Sequence, residues 1–130
     1  MRNAKLANVL GLQAEQAAVD YLVSHGYVVR ERRWKPAGGR GEIDIIAQVG
    51  SDMVFIEVKM RSSGSREAVN AVDMRKMRNM VIGADAYLSM QQSQGFSYRF
   101  DIIAVSGLPD NTKVEHIVDA FLSPLFSCAR

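Results

Sequence analysis

Apolar and polar positions change their period several times along the chain. From Leu6 onward, apolar or small residues fall at Leu6, Leu10, Ala14, Ala17, Ala18, Tyr21 and Leu22, the spacing of a helix with one buried stripe. Gly26 stands where such a helix would stop. Tyr27 to Trp34 opens on the β-favouring Tyr27, Val28 and Val29 and continues into Arg30, Arg32 and Arg33, which predicts a strand with one solvated face or a sheet edge. The segment from Pro36 to Gly41 continues neither strand nor helix and reads as a mobile loop. Glu42 to Val49 and Met53 to Met60 are two strands joined by Gly50-Ser51-Asp52, a hairpin connection. A polar loop from Arg61 to Arg66 leads to a long helix marked by Met74, Met77, Val81, Ala84 and Leu88, ended by Gln91 to Gly95. Tyr98 to Val105 and Lys113 to Val118 are the last strands, with a turn at Pro109-Asp110-Asn111.

The order α-β-β-β-α-β-β predicts an α/β sandwich, a mixed central sheet flanked by helices. A helical crossover can join parallel neighbours, whereas the hairpin must be antiparallel. A chain of 130 residues, 48% hydrophobic and 23% charged, has the size and composition of a single domain over residues 1–130 and excludes a disordered or collagen-like chain. Sixteen Lys and Arg against fourteen Asp and Glu leave a net charge of +2, so a basic surface must come from arrangement rather than excess. Cys128 is the only cysteine, which excludes a disulfide framework and a Cys-based zinc site within one chain. The basic start from Met1 to Lys5 is followed by Gln13, Glu15, Gln16 and Asp20, which break any signal-like apolar core, and no run reaches the roughly 18–20 apolar residues of a membrane span. These features fit a cytoplasmic protein.

Strand parity carries the candidate chemistry. Glu42 and Asp44 share one face of their strand and Ile43 and Ile45 the other; Phe55, Glu57 and Lys59 share a face of the next, with Ile56 and Val58 opposite. If the charged faces coincide, Asp44, Glu57 and Lys59 converge. Two carboxylates and an amine are what a magnesium-dependent phosphodiester hydrolase requires. Mg²⁺, or Mn²⁺, is commonly held by one or two carboxylates plus phosphate oxygens. In that reading Asp44 and Glu57 hold the metal, the Val58 carbonyl adds a ligand, and Lys59 orients the attacking water or neutralises developing charge. Glu15, at the edge of the first helix's apolar stripe, is a candidate third acid. The alternative is a cross-strand salt bridge between Lys59 and Asp44 on a solvated face.

Gly41-Glu42-Ile43-Asp44, Val54-Phe55-Ile56-Glu57-Val58-Lys59 and Arg61 resemble the PD-(D/E)-x-K nuclease superfamily. More closely, the chain resembles the YraN family of uncharacterised bacterial proteins, itself similar to archaeal Holliday-junction resolvases. The resemblance extends over Glu15-x-Ala17, Tyr21-Leu22, Gly26-Tyr27, Arg33-Trp34, Ala71-Val72-Asp73, Arg75-Lys76, Arg99-Phe100-Asp101 and Ala120-Phe121. Ala14 stands where such proteins usually carry Gly, and Met60 where Thr is common. The resemblance implies a restriction-endonuclease-like fold and a metal-dependent endonuclease acting on DNA, including branched DNA.

Around this centre, Arg33, Trp34, Arg40 and Arg61, with Arg75, Lys76 and Arg78 of the long helix, are candidate nucleic-acid contacts. Trp34 either stacks on an exposed base or is buried under an edge strand. Cutting two strands favours a homodimer. Glu42 reads as structural, the helix methionines as core, and His25 and His116 as surface residues with no metal partner. A non-catalytic nucleic-acid or protein-binding module is the rival reading.

Overall fold

The computed structural model describes residues 2–61, 74–91 and 95–121. Helix α1 spans Arg2–Ser24, followed by strands β1 (Val28–Trp34), β2 (Ile43–Val49) and β3 (Asp52–Met60), helix α2 (Met74–Gln91), and strands β4 (Ser97–Ser106) and β5 (Lys113–Ile117). Element order and type match the alternation of periods. Within the expected polar loop only Arg61 falls inside the described residues; the serines that follow it and Ala71-Val72-Asp73 lie outside them.

Gly26 ends α1 at φ +86°, with the Tyr27 N–H donating to Leu22 O at 2.9 Å and the Gly26 N–H to Val23 O at 3.1 Å. This paired closure needs a left-handed residue at that point. The five strands lie in the order β1-β2-β3-β4-β5, which makes the arginine-rich β1 a sheet edge. All neighbouring pairs are antiparallel except β3 and β4, which run parallel on either side of α2 in sequence. The β2–β3 turn is only Gly50-Ser51, because Asp52 already pairs with Val49, and Gly50 takes φ +56° at the first central position, as tight hairpins favour.

Each helix covers one face. Ala14, Ala18 and Leu22 of α1 pack with Ile45, Ala47, Val54, Ile56, Ile103 and Val105, while Met80, Val81, Ala84 and Tyr87 of α2 pack with Ile46, Met53, Phe55 and Phe100. The buried stripes start later than the spacing alone indicates: Leu6 is 58% and Met74 51% exposed. A leucine at helical spacing looks the same whether or not a sheet lies beneath it. Ile43 departs from strand parity, packing on the α2 side rather than with Ile45. It pairs only with Trp34 of β1, beyond the last β2–β3 rung, so β3 no longer fixes its orientation.

The 36–41 loop is closely packed at its far end. Gly41 is buried, and a Cβ added there would stand 2.7 Å from Gly83 N; one added at Gly83 would stand 2.0 Å from Gly41 O. Two glycines thus let α2 lie directly on the chain entering β2. Among the described residues, no helix is long and apolar enough to cross a membrane.

A candidate metal centre at the fork of two strands

The last rung between β2 and β3 is Ile45 with Ile56. Past it the strands fork, and the Val58 N–H donates to the Asp44 carboxylate at 2.9 Å. A side chain thus replaces the backbone acceptor the ladder no longer offers. This directs the Asp44 carboxylate into the fork, against Glu57.

Burial and repulsion from Glu57 push the Asp44 carboxyl up from an ordinary 3.8 to about 7; a hydrogen bond shared with Glu57 adds to the rise, while the Val58 N–H and the charge of Lys76 oppose it. Glu57 is almost wholly buried, its side chain 5% exposed. Lys59 Nζ stands 3.3 Å from its Oε2 and Lys76 Nζ 3.4 Å from its Oε1. Oε1 nevertheless has no hydrogen-bond donor in good geometry among the described residues. A half-buried and a buried carboxylate that repel each other, the latter with an unsatisfied oxygen, form a donor set that favours a cation.

A cavity of about 600 Å³ opens beside the fork, lined by Asp44 and Val58 together with Gly11, Leu12, Glu15, Arg33 and Met60. Glu15 stands in its wall, but Arg33 Nε contacts Oε2 at 3.0 Å and Arg32 Nε contacts Oε1 at 3.3 Å. Two guanidinium groups therefore satisfy the carboxylate expected to be a third ligand. Among the described residues, no three His, Cys, Asp or Glu side chains gather as a metal cluster. An Mg²⁺ site of two carboxylates and a carbonyl, completed by water and phosphate oxygens, remains within the usual chemistry of that ion. Arg33 takes φ +49°, a left-handed conformation costly for a residue with a Cβ, on the cavity's rim.

The other expected contacts are divided. Asp44, Glu57 and Lys59 are brought together. Lys76, expected on a phosphate-tracking helix face, instead reaches the centre from α2. Strand parity could not show this, because it depends on how α2 docks. Arg75 and Arg78 are exposed on α2 and Arg40 is exposed in its loop. Arg61 pairs with Glu115 of β5. Trp34 is half-buried and packs edge-on against Tyr87, ring centroids 5.3 Å apart. Glu42 pairs with Lys35 at 3.8 Å, away from the fork.

His116 corrects the surface expectation. Its side chain is 6% exposed, with Nε2 at 2.7 Å from Asp101 Oδ2 and Nδ1 at 3.2 Å from the Tyr21 hydroxyl. Asp101, fully buried, also accepts from Arg99 Nε at 3.1 Å and from the Asp119 N–H at 2.9 Å. The alternation of β4 and β5 held the only signal: His116 pairs with Ile103, so Asp101, two residues along β4, is its diagonal neighbour on the same face. His25 is exposed, as expected, and stacks on Tyr21 with centroids 4.1 Å apart.

A family model described as an uncharacterised protein family, UPF0102, matches residues 14–105. A UPF0102 protein of Bacteroides fragilis is 43% identical over 120 residues, covering 92% of this chain and 97% of its own length. A UPF0102 protein of Bacteroides thetaiotaomicron is 42% identical with the same coverage. One of Chlorobium phaeobacteroides is 39% identical, covering 88% of this chain and 94% of its own. The matched span contains α1 from Ala14, the fork, α2 and most of β4.

Proposed function

Because the chain belongs to the UPF0102 family, whose description names no activity, its function has to be read from the fork itself, and we propose that it is a metal-dependent nuclease acting on DNA in the cytoplasm. The observation that carries this reading is the pairing of Asp44 with buried Glu57 beside a cavity, with Lys59 at 3.3 Å from Glu57. Asp44, Glu57 and the Val58 carbonyl would hold Mg²⁺ or Mn²⁺. When bound, such an ion supplies positive charge to the phosphoryl oxygens and acidifies an attacking water.

The remaining work falls to the chain's own residues. The Val58 N–H fixes one Asp44 oxygen and leaves the other to face the fork. Lys59, held by Glu57, orients the incoming water and balances charge on the phosphorus as the bond to the leaving oxygen lengthens. Arg33, Arg40, Arg75 and Arg78 supply phosphate contacts, so affinity falls steeply with salt. A branched-DNA preference comes from the resemblance in the motifs, and a homodimer follows from the need to cut two strands.

The experiment is a cleavage screen over duplex, single-stranded and four-way DNA in Mg²⁺ or Mn²⁺, repeated with Lys59→Ala. Cleavage by the parent and loss in the variant support the reading; cleavage that persists in the variant refutes the role of Lys59. One observation favours a second reading: two lysines already neutralise Glu57 and two arginines Glu15, as suits a nucleic-acid-binding module without turnover. Metal-independent DNA binding with no cleavage of any substrate identifies that case.

A further inference from the structure

The fork has a charge balance that the nuclease reading leaves unexplained. Asp44 and Glu57 can carry two negative charges, and each oxygen of buried Glu57 faces an ammonium, Oε2 that of Lys59 and Oε1 that of Lys76. The lysines are not equivalent. Lys59 lies on the same strand as Glu57, two residues away, and pairs with it wherever α2 lies. Lys76 comes from α2, and its charge also acts on Asp44. It therefore stands on the oxygen that lacks a hydrogen-bond donor, and its charge reaches both carboxylates that would hold a cation.

We propose that the Lys76 ammonium is a resident counter-cation of the fork, one that a divalent ion must displace and that then turns to the substrate phosphate. The proposal rests on the metal reading above. A divalent ion, Lys59 and Lys76 together would place four positive charges against two negative ones, which favours departure of the lysine that is not tied to the strand of Glu57. Lys76 sits on α2 between Arg75 and Arg78, both exposed, so the displaced ammonium joins a basic helix edge suited to a phosphate backbone. Metal and nucleic acid would then strengthen each other's binding, because the ion releases the lysine and the phosphate receives it.

The test is Mn²⁺ affinity by isothermal titration calorimetry, without nucleic acid, for the parent chain, Asp44→Asn, Lys76→Met, Lys76→Gln and Arg78→Met. Removing the resident cation should tighten Mn²⁺ binding about tenfold in both Lys76 variants, whereas loss of a general positive charge at Arg78 should change it less than about twofold. Adding a short DNA duplex should tighten Mn²⁺ binding in the parent and fail to do so in Lys76→Met. Lys76 variants that bind Mn²⁺ no better than Arg78→Met overturn the proposal while leaving the metal reading intact, provided Asp44→Asn abolishes parent binding. Absence of Mn²⁺ binding in both the parent and the Lys76 variants overturns both.

Discussion

The Asp44 carboxylate accepts the Val58 N–H at 2.9 Å, just beyond the last rung between their strands. A backbone amide that would otherwise lose its acceptor is satisfied by an acid, and that acid is thereby held against Glu57. Fold and candidate chemistry therefore share one hydrogen bond, and the cost of the site should be measurable as stability.

Asp44→Asn keeps an acceptor for the Val58 N–H and removes the charge. The Asp44 carboxyl titrates at about 7 in the folded chain against 3.8 ordinarily, so between those values the unfolded chain has lost a proton that the folded one keeps. Stability from this group falls as pH rises through that window and levels off above it. The variant should be more stable than the parent by about 1–2 kcal/mol at pH 8, and the difference should shrink towards zero as pH falls to about 4, near the unfolded value, by urea unfolding. An equal effect at both pH values would show that ionisation of Asp44 is not the cause.

Asp101 behaves in the opposite sense. Burial alone would raise its carboxyl, but hydrogen bonds from His116, Arg99 and the Asp119 N–H outweigh burial and hold it below the ordinary carboxylate range. Its contribution is complete above the unfolded value and is lost as pH falls through the folded one. Asp101→Asn should flatten the acid limb of the stability profile. His116→Ala, which leaves buried partners unpaired, should cost about 2–3 kcal/mol at pH 7. A loss below about 0.5 kcal/mol would remove His116 from the structural network.

The two glycines of α1 and α2 should respond differently to the same substitution. A Cβ at Gly83 would meet the Gly41 carbonyl at 2.0 Å, so Gly83→Ala must push α2 from the sheet, at a cost of about 3 kcal/mol or more. Gly11 in α1 has nothing within 4 Å of an added Cβ, and Gly11→Ala should stabilise by about 0.5–1 kcal/mol through helix propensity. Thermal melts of the pair check both; equal effects would contradict the close helix–strand approach.

Trp34 is the only tryptophan and packs against Tyr87. Its fluorescence should change little on addition of single-stranded oligonucleotide, even where anisotropy shows binding. Strong quenching would identify it as a stacking platform.

The elements were legible because their periods differ and their boundaries carry glycine: Gly26 closes α1 and Gly50 turns the hairpin. The hairpin also placed Asp44, Glu57 and Lys59 on neighbouring strand ends, although parity breaks at Ile43 and the Asp44 carboxylate is turned into the fork by the Val58 N–H rather than by the ladder. What stayed hidden depends on docking between distant segments. Lys76 reaches Glu57 only because Gly41 and Gly83 let α2 lie close, and the pairing of His116 with Asp101 depends on the β4–β5 register. Glu15 shows the same limit from the other side: helical spacing put it beside the core, but its arginine partners come from an edge strand whose Arg33 takes an unusual backbone angle.

The most direct measurement is the thermal melt of the parent and Asp44→Asn with and without Mn²⁺ or Mg²⁺. If Asp44 and Glu57 hold a divalent ion, an ion concentration about a hundredfold above Kd should raise the parent's Tm by on the order of 5–10 °C and leave the variant's unchanged. No rise in the parent, or the same rise in both, would contradict a metal centre at the fork.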